Sequence, residues 1–435
     1  MTSLAGRGAA ARTWSGEPVR RALVVSHAYP PDPASVGQYM HDVAQMLVSR
    51  GVAVTVYTAD HGYEDPSQAY PRREIRDGVH VVRLPLSSFG KASIPLRLLS
   101  GFSLVLQVLF RTLISARFDA LLVSTGPPMA PLVGIVLGAV RRRLRVVFWA
   151  MDLNPDLAIA LRKVRPRALS AQLMDVMNRA ILRRAEEVIV LDRFMAERVR
   201  RKTECADRMT VLPLWPHVDP DDAVPHTENW FRAKHGMEGK RVVMYSGNHS
   251  PAHPLDTLVA AAKSLVDDPR LEFLFIGGGN GKQVVDDLVA SGGYPNVKSL
   301  PYLPMKDLRW SLSAADVHVV VVGDGVVGLS HPSKLYGAMA VGRPILLIGP
   351  DPCHASDIVR EQQCGWHIPH GDIKGAVEIL RSVAEASTKE LEAMGERGKQ
   401  FIGRGMTSSR LCGAFCDIAL GSSKLGEPLQ NGDLA

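Results

Sequence analysis

Cysteine is scarce in this chain: five residues in 435, none of them in a CxxC pair. Cys205, Cys353, Cys364, Cys412 and Cys416 are too few and too scattered for a disulfide framework or a zinc site, so a reducing, cytoplasmic setting is expected. Cys412 and Cys416 sit one helical turn apart, as two small apolar residues on one helix face would. Aromatics make up only 6%, and no RNP-type or zinc-finger pattern occurs, so nucleic acid is not expected as a partner. Residues 1–21 lack the unbroken apolar core of a secretory signal. Glycine and proline follow no period, which excludes a collagen-like chain.

What is present is globular in character, 46% hydrophobic and 22% charged, with length for two or three domains. The net charge of +7 conceals an asymmetry. Up to Pro216 there are 30 Lys and Arg against 18 Asp and Glu; beyond it there are 21 against 26. A basic first half suits an anionic surface, and with nucleic acid set aside that surface is a membrane.

Short Val- and Leu-rich runs alternate with longer helical patterns, the mark of βαβ units and parallel sheets. Strands are predicted at 22–26, 52–57, 79–84, 120–123, 145–149, 188–191 and 210–214, then at 241–245, 271–276, 317–322 and 344–348. The α/β chain therefore divides into a domain at 19–214 and another at 240–405, joined by a Pro-, His- and Asp-rich linker at 215–239. A helix at 406–420 follows, and the tails 1–18 and 421–435 read as disordered.

One segment, Ser93–Ile114, is unusually apolar. Its charge-free stretch between Arg97 and Arg111 is too short for the ~20 residues a membrane span requires. Two readings stay open, a helix seated in the plane of the membrane and an ordinary core helix. The Arg141–Arg145 and Arg162–Arg167 runs in the same half favour the first.

Three places could hold an anion. Gly37 stands where a Pro-rich loop after the first strand enters a helix running from about Gln38, so backbone N–H groups could meet a phosphate there. Ser246–His253, reading SGNHSPAH, lies between a strand and a helix, at the sheet end where open α/β folds bind ligands. In HPSKLYGAMAVGRP, 331–344, Ser333 is expected to cap a helix with Lys334 in its first turn. A cation there opposes the helix dipole, so structure alone does not ask for it, whereas a bound diphosphate does. Strand-end logic also marks His27 and Asp152, while His41 reads as structural. Asp219-Pro220-Asp221 has the form of a metal motif but falls in the linker and reads as a solvated turn.

SGNHSPAH, GGGNGK (277–282), ADVHVV (315–320), HPSKLYGAMAVGRP and CGWHIPHGD (364–372) occur in the order found in retaining family-4 glycosyltransferases of the GT-B fold. The chain resembles that family over about residues 20–420, most of all the bacterial branch that builds surface polysaccharides, with its fucosamine and colanic-acid transferases. The resemblance implies two Rossmann-like domains facing across a cleft, an acceptor domain first and a nucleotide-sugar domain second. Donor contacts are expected at Gly37, Gln38, Gly247, Asn248, His249, His253, Gly278, Ser333, Lys334 and Arg343, and the strand-end placement makes His27 and Asp152 the expected catalytic positions.

By resemblance the donor is UDP-linked and serves as co-substrate, with no cofactor and no metal. The acceptor is a polyprenyl-diphosphate-linked or other saccharide, and the enzyme is peripheral on the inner face of the cell membrane. The sequence also departs from the broad family. Its Glu-x7-Glu pair is replaced by Leu329 and Gly337, and its usual Arg and Lys after the first strand of the second domain by Asn248 and His253. A GT-B enzyme on a soluble acceptor, a nucleotide-sugar epimerase and an inactive partner-binding subunit remain as alternatives.

Overall fold

The computed structural model describes residues 18–62, 67–88, 94–114 and 117–422. The expected tails lie outside them except for Pro18, Gly421 and Ser422. The chain forms two sheets. The first contains β1 (Arg21–Val25), β2 (Ala53–Ala59), β3 (Arg73–Arg76), β4 (Val79–Leu84), β5 (Ala120–Ser124), β6 (Arg145–Ala150), β7 (Glu187–Val190) and β8 (Met209–Val211). Their order is β3-β4-β2-β1-β5-β6-β7-β8, and only the β3–β4 pair is antiparallel.

The second sheet is wholly parallel: β9 (Arg241–Ser246), β10 (Leu271–Ile276), β11 (Val297–Leu300), β12 (Val317–Val321), β13 (Ile345–Ile348) and β14 (Gly365–Ile368), in the order β11-β10-β9-β12-β13-β14. Residues of the central strands are buried on both faces, which is why they read as unbroken apolar runs. In each sheet the strand order reverses beside the first strand, between β1 and β5 and between β9 and β12. The loops leaving the paired strands diverge there and open a crevice at the carboxyl ends.

Residues 215–239 are not a bare tether. Trp215 is buried in the first domain and its indole N–H donates to Asp42, 2.8 Å away. From Val218 the chain packs on the second domain, where Phe231 and Met237 share a core with Val242, Met244, Leu274 and Ile276. The final helix, Ser408–Leu420, returns to the first domain. Phe415 meets Trp149 at 4.3 Å between ring centroids, Asp417 pairs with Arg50 at 2.6 Å, and Arg145 donates to the Ile418 carbonyl at 2.9 Å. Cys412 and Cys416 are buried free thiols on that helix.

Candidate active site

The second sheet's crevice is edged by two interlocked loops. Gly247 N–H donates to Ile276, His249 N–H to Gly278, and Gly281 N–H to His249, so the loops after β9 and β10 continue the sheet as a rim. Glycine is required where they touch. Gly277 has φ +128°, and a Cβ there would lie 2.0 Å from the Gly247 carbonyl oxygen. At Gly247, φ +131°, a Cβ would lie 2.4 Å from Cε of Lys334.

Lys334 begins the helix Lys334–Ala340 on the opposite bank of the crevice and reaches across it. Its Nζ donates to the Tyr245 hydroxyl at 2.8 Å and to the Asn248 carbonyl at 3.3 Å, and lies 4.6 Å from the Tyr245 ring centre. All of these partners are uncharged. Burial without a compensating carboxylate pulls the amine down to about 7. An anion entering the crevice would supply the missing charge.

The neighbouring side chains add shape more than charge. His249 is fully buried with Nδ1 against the Gly247 carbonyl at 3.0 Å. Burial, then Lys282 and Lys334, lowers its pKa to about 4, so it packs as a neutral ring. His253 bonds the Val321 carbonyl through Nδ1 at 2.8 Å, and burial, then Lys334, lowers it to about 3. Gly278 lies under Tyr302, whose ring would meet a Cβ there at 2.9 Å. Lys282, which the sequence reading did not single out, donates to the carbonyls of Gly277 (2.7 Å) and Leu300 and ties the ends of β10 and β11 together.

Two expected donor contacts of the second domain need correction. Ser333 does not cap the Lys334 helix: its backbone is helical (φ −57°, ψ −21°) and its side chain makes no cap bond, because a cap requires extended backbone. The Tyr39 hydroxyl of the first domain lies nearby and donates to the Trp215 carbonyl at 3.1 Å. Arg343 lies away from the crevice, beyond the far end of the Lys334 helix and before β13. It is buried, donates to the Ser313 carbonyl at 3.0 Å and faces Asp316 at the entry to β12. A seven-residue helix spans ~10 Å at 1.5 Å per residue, so Lys334 and Arg343 sit at opposite ends of the sheet.

In the first domain, His27 follows β1, and its carbonyl accepts from Thr58 Oγ1 at 3.0 Å and Ala59 N–H at 3.2 Å. Asp152 follows β6 and touches the second domain. It forms an antiparallel bridge with Ser330, and its backbone N–H donates to Thr125 Oγ1 at 3.1 Å. Burial raises the Asp152 pKa, while Ser330 and then His331 oppose the rise. His41 is held between the Tyr29 hydroxyl (3.0 Å) and Asp77 (3.1 Å), a structural setting. Asp219 precedes a short 3-10 turn, Pro220–Asp222, and among the described residues no cluster of three or more His, Cys, Asp or Glu is placed to hold a metal ion.

Gly37 is inside the helix Ser35–Ser49, not before it, and its N–H already donates to the Ala34 carbonyl at 2.9 Å. Gln38 donates from its side chain to the Asp32 carbonyl at 2.8 Å. A Cβ on Gly37 would lie 2.9 Å from the carbonyl carbon and oxygen of Ala28. Packing therefore demands the glycine. Gly37→Val should destabilise the protein by ~1–3 kcal/mol through overpacking, measured as a lower urea midpoint. A variant of normal stability that has lost only turnover would overturn this account.

Gly323–Gly328, after β12, has the form GxGxxG, but it enters a 3-10 turn and not a helix. Its last glycine, φ +70°, fits where a Cβ would lie 2.7 Å from the Phe194 backbone of the first domain. The motif builds the domain seam.

Two parallel sheets, each with a switch-point crevice, define the GT-B fold. The "Glycosyl transferase 4-like domain" family matches residues 35–215, and "Glycosyl transferases group 1" matches residues 227–401. The chain belongs to the family-4 glycosyltransferases of the GT-B fold, of the bacterial polysaccharide type. It is 25% identical over 286 residues to the probable glycosyltransferase WbjE of Pseudomonas aeruginosa, covering 64% of this chain and 68% of that one. Over 330 residues it is 25% identical to the putative colanic acid biosynthesis glycosyl transferase WcaI of Escherichia coli K12, covering 74% and 81%. Its fold matches that of Anabaena Alr3699/HepE, solved with UDP and glucose, at a TM-score of 0.67 and 17% identity, covering 93% of this chain and all of that one.

Proposed function

We propose that this glycosyltransferase transfers a sugar, with retention, from a UDP-linked donor to a polyprenyl-diphosphate-linked saccharide, working without a metal at the inner face of the cell membrane. The observation that carries the donor reading is Lys334. Its amine is held only by uncharged partners at the mouth of a glycine-edged crevice. The UDP bound to HepE, whose fold is shared, supports uridine as the nucleotide.

The reaction needs a leaving diphosphate stabilised, an oxocarbenium-like transition state tolerated and an acceptor hydroxyl held in place. Lys334, at the rim formed by the loops after β9 and β10, serves the first need by preorganised electrostatics. Gly247, Asn248, His249, His253 and Gly278 shape the donor side, with Ser333 at its edge. Asp152 and His27, at the strand ends of the first domain, are assigned to the acceptor hydroxyl. Asp152 suits the task by its place at the carboxyl end of β6, where burial raises its pKa.

A panel of UDP-, GDP- and dTDP-sugars, followed by release of the nucleoside diphosphate with and without a lipid-linked saccharide, tests the proposal. Faster release of UDP from one sugar when the acceptor is present is the expected result. Failure to bind or cleave any nucleotide sugar would favour the inactive partner subunit.

A further inference from the structure

The segment leading into Lys334 is gripped by the other domain. Leu153 N–H donates to the Leu329 carbonyl at 2.8 Å, and Gly328 packs on the Phe194 backbone. Next to them runs a closed chain of polar groups. Asp192 Oδ2 faces His331 Nδ1 at 2.8 Å, His331 Nε2 faces the Tyr336 hydroxyl at 2.7 Å, and that hydroxyl faces His354 Nε2 at 2.8 Å. Asp192 and His331 are 2% and 1% exposed. Beside the chain, Arg193 pairs with Asp357 at 2.6 Å.

The bonds can all be satisfied in one arrangement. His331 donates from Nδ1 to the Asp192 carboxylate and accepts the Tyr336 proton at Nε2, while Tyr336 accepts from His354. Asp192 also caps the helix Arg193–Lys202, accepting from Met195 N–H at 2.8 Å. A rigid helix end in the first domain is thus joined to the two residues that flank Lys334, at positions 331 and 336. A buried chain of this kind has one low-energy geometry, since any break leaves an unpaired polar group.

We infer that Asp192 and His331 are positioning residues through which the acceptor domain sets the Lys334 amine for the donor diphosphate. The inference rests on the proposed donor site. It implies that the donor grip depends on how the two domains meet, so Lys334 engages fully only when the seam is closed. Neither residue touches the donor; both act through Lys334.

The test is a double-mutant cycle on kcat/KM for the donor and on UDP affinity by calorimetry, with melting temperature followed alongside. His331→Leu should lower donor kcat/KM at least tenfold and weaken UDP binding. In a Lys334→Ala background the same change should cost less than twofold. Asp192→Ala should behave like His331→Leu. Asp192→Asn, which keeps the helix cap and can still bond the ring through its other tautomer, should recover most of the loss. Equal losses in the two backgrounds, or a folded His331→Leu protein with wild-type kinetics, would overturn the inference. Wild-type protein that binds no UDP would instead refute the donor site on which it rests.

Discussion

Replacing Lys334 by alanine is expected to lower turnover by two to three orders of magnitude, ~2.7–4 kcal/mol, the scale for losing one preorganised group that stabilises developing charge. The fold should hardly notice. Lys334 is half-buried, its partners Tyr245 and Asn248 bond one another at 2.8 Å without it, and removing a buried amine relieves a desolvation cost. Turnover within about threefold of wild type would sink the assignment. Chemical denaturation beside the kinetics separates a lost cation from a lost structure.

The same amine predicts a pH dependence. Its pKa is lowered from 10.5 to about 7 by burial, so the folded chain binds this proton more weakly than the unfolded chain. Its share of stability is therefore present above pH 10.5 and lost as the pH falls through about 7. Donor binding runs the other way, because a diphosphate prefers the ammonium. UDP affinity should fall as the pH rises above 7, by up to ~10-fold per unit, with proton uptake on binding. Calorimetry in buffers of different ionisation enthalpy reads that uptake directly. Binding with neither uptake nor slope would show that the diphosphate lies elsewhere.

The second large effect concerns the apolar helix Ile94–Ile114. At about 100° per residue, Leu96, Leu99, Phe102, Leu106, Phe110, Leu113 and Ile114 form a single stripe, and all seven are exposed. Leu104, Val105 and Val108 on the opposite face are buried. One side of the helix is thus core and the other is an exposed apolar face. Two helices along, beyond Pro131–Val140, the helix Leu169–Arg184 exposes Leu169, Leu173 and Val176, directly after the exposed Arg162, Lys163, Arg165 and Arg167. No helix among the described residues is long and apolar enough to cross a membrane. Lying on an anionic surface suits an apolar stripe with basic flanks.

Wild-type protein should bind anionic vesicles, less so as salt shortens the screening length to ~8 Å. Leu99→Ser, Leu106→Ser and Phe110→Ser together should abolish that binding, since each such side chain contributes ~1.5–3 kcal/mol on leaving water. The melting temperature should stay put. Wild type that ignores anionic vesicles at low salt, or a triple variant that still binds them, would refute the membrane reading of this face.

The central strands were legible because burial on both faces writes an uninterrupted apolar run, as in ALLVS and RVVFWA. The edge strands β3, β11 and β14 were missed. REIR, VKSL and GWHI are short and only partly buried, so their composition does not set them apart from loops. Lys334 could be found because a cation at a helix start runs against local electrostatics. Arg343 looked equivalent in sequence, but nine residues carry the chain to the other end of the sheet. The Asp192–His331 pair left no local trace: Asp192 reads as a helix cap, and its partner is 139 residues away.

The helix Ser408–Leu420 has a consequence for biosynthesis. It covers Trp149, Val43 and Arg145 of the first domain, yet the ribosome makes it only after the entire second domain. While the chain is growing, the first domain must wait with an uncovered apolar flank, and a chaperone that shields Trp149 would be competing with the protein's own last helix. Polypeptides stalled before Ser408 should accordingly be held by such factors, and release should coincide with the arrival of Phe415.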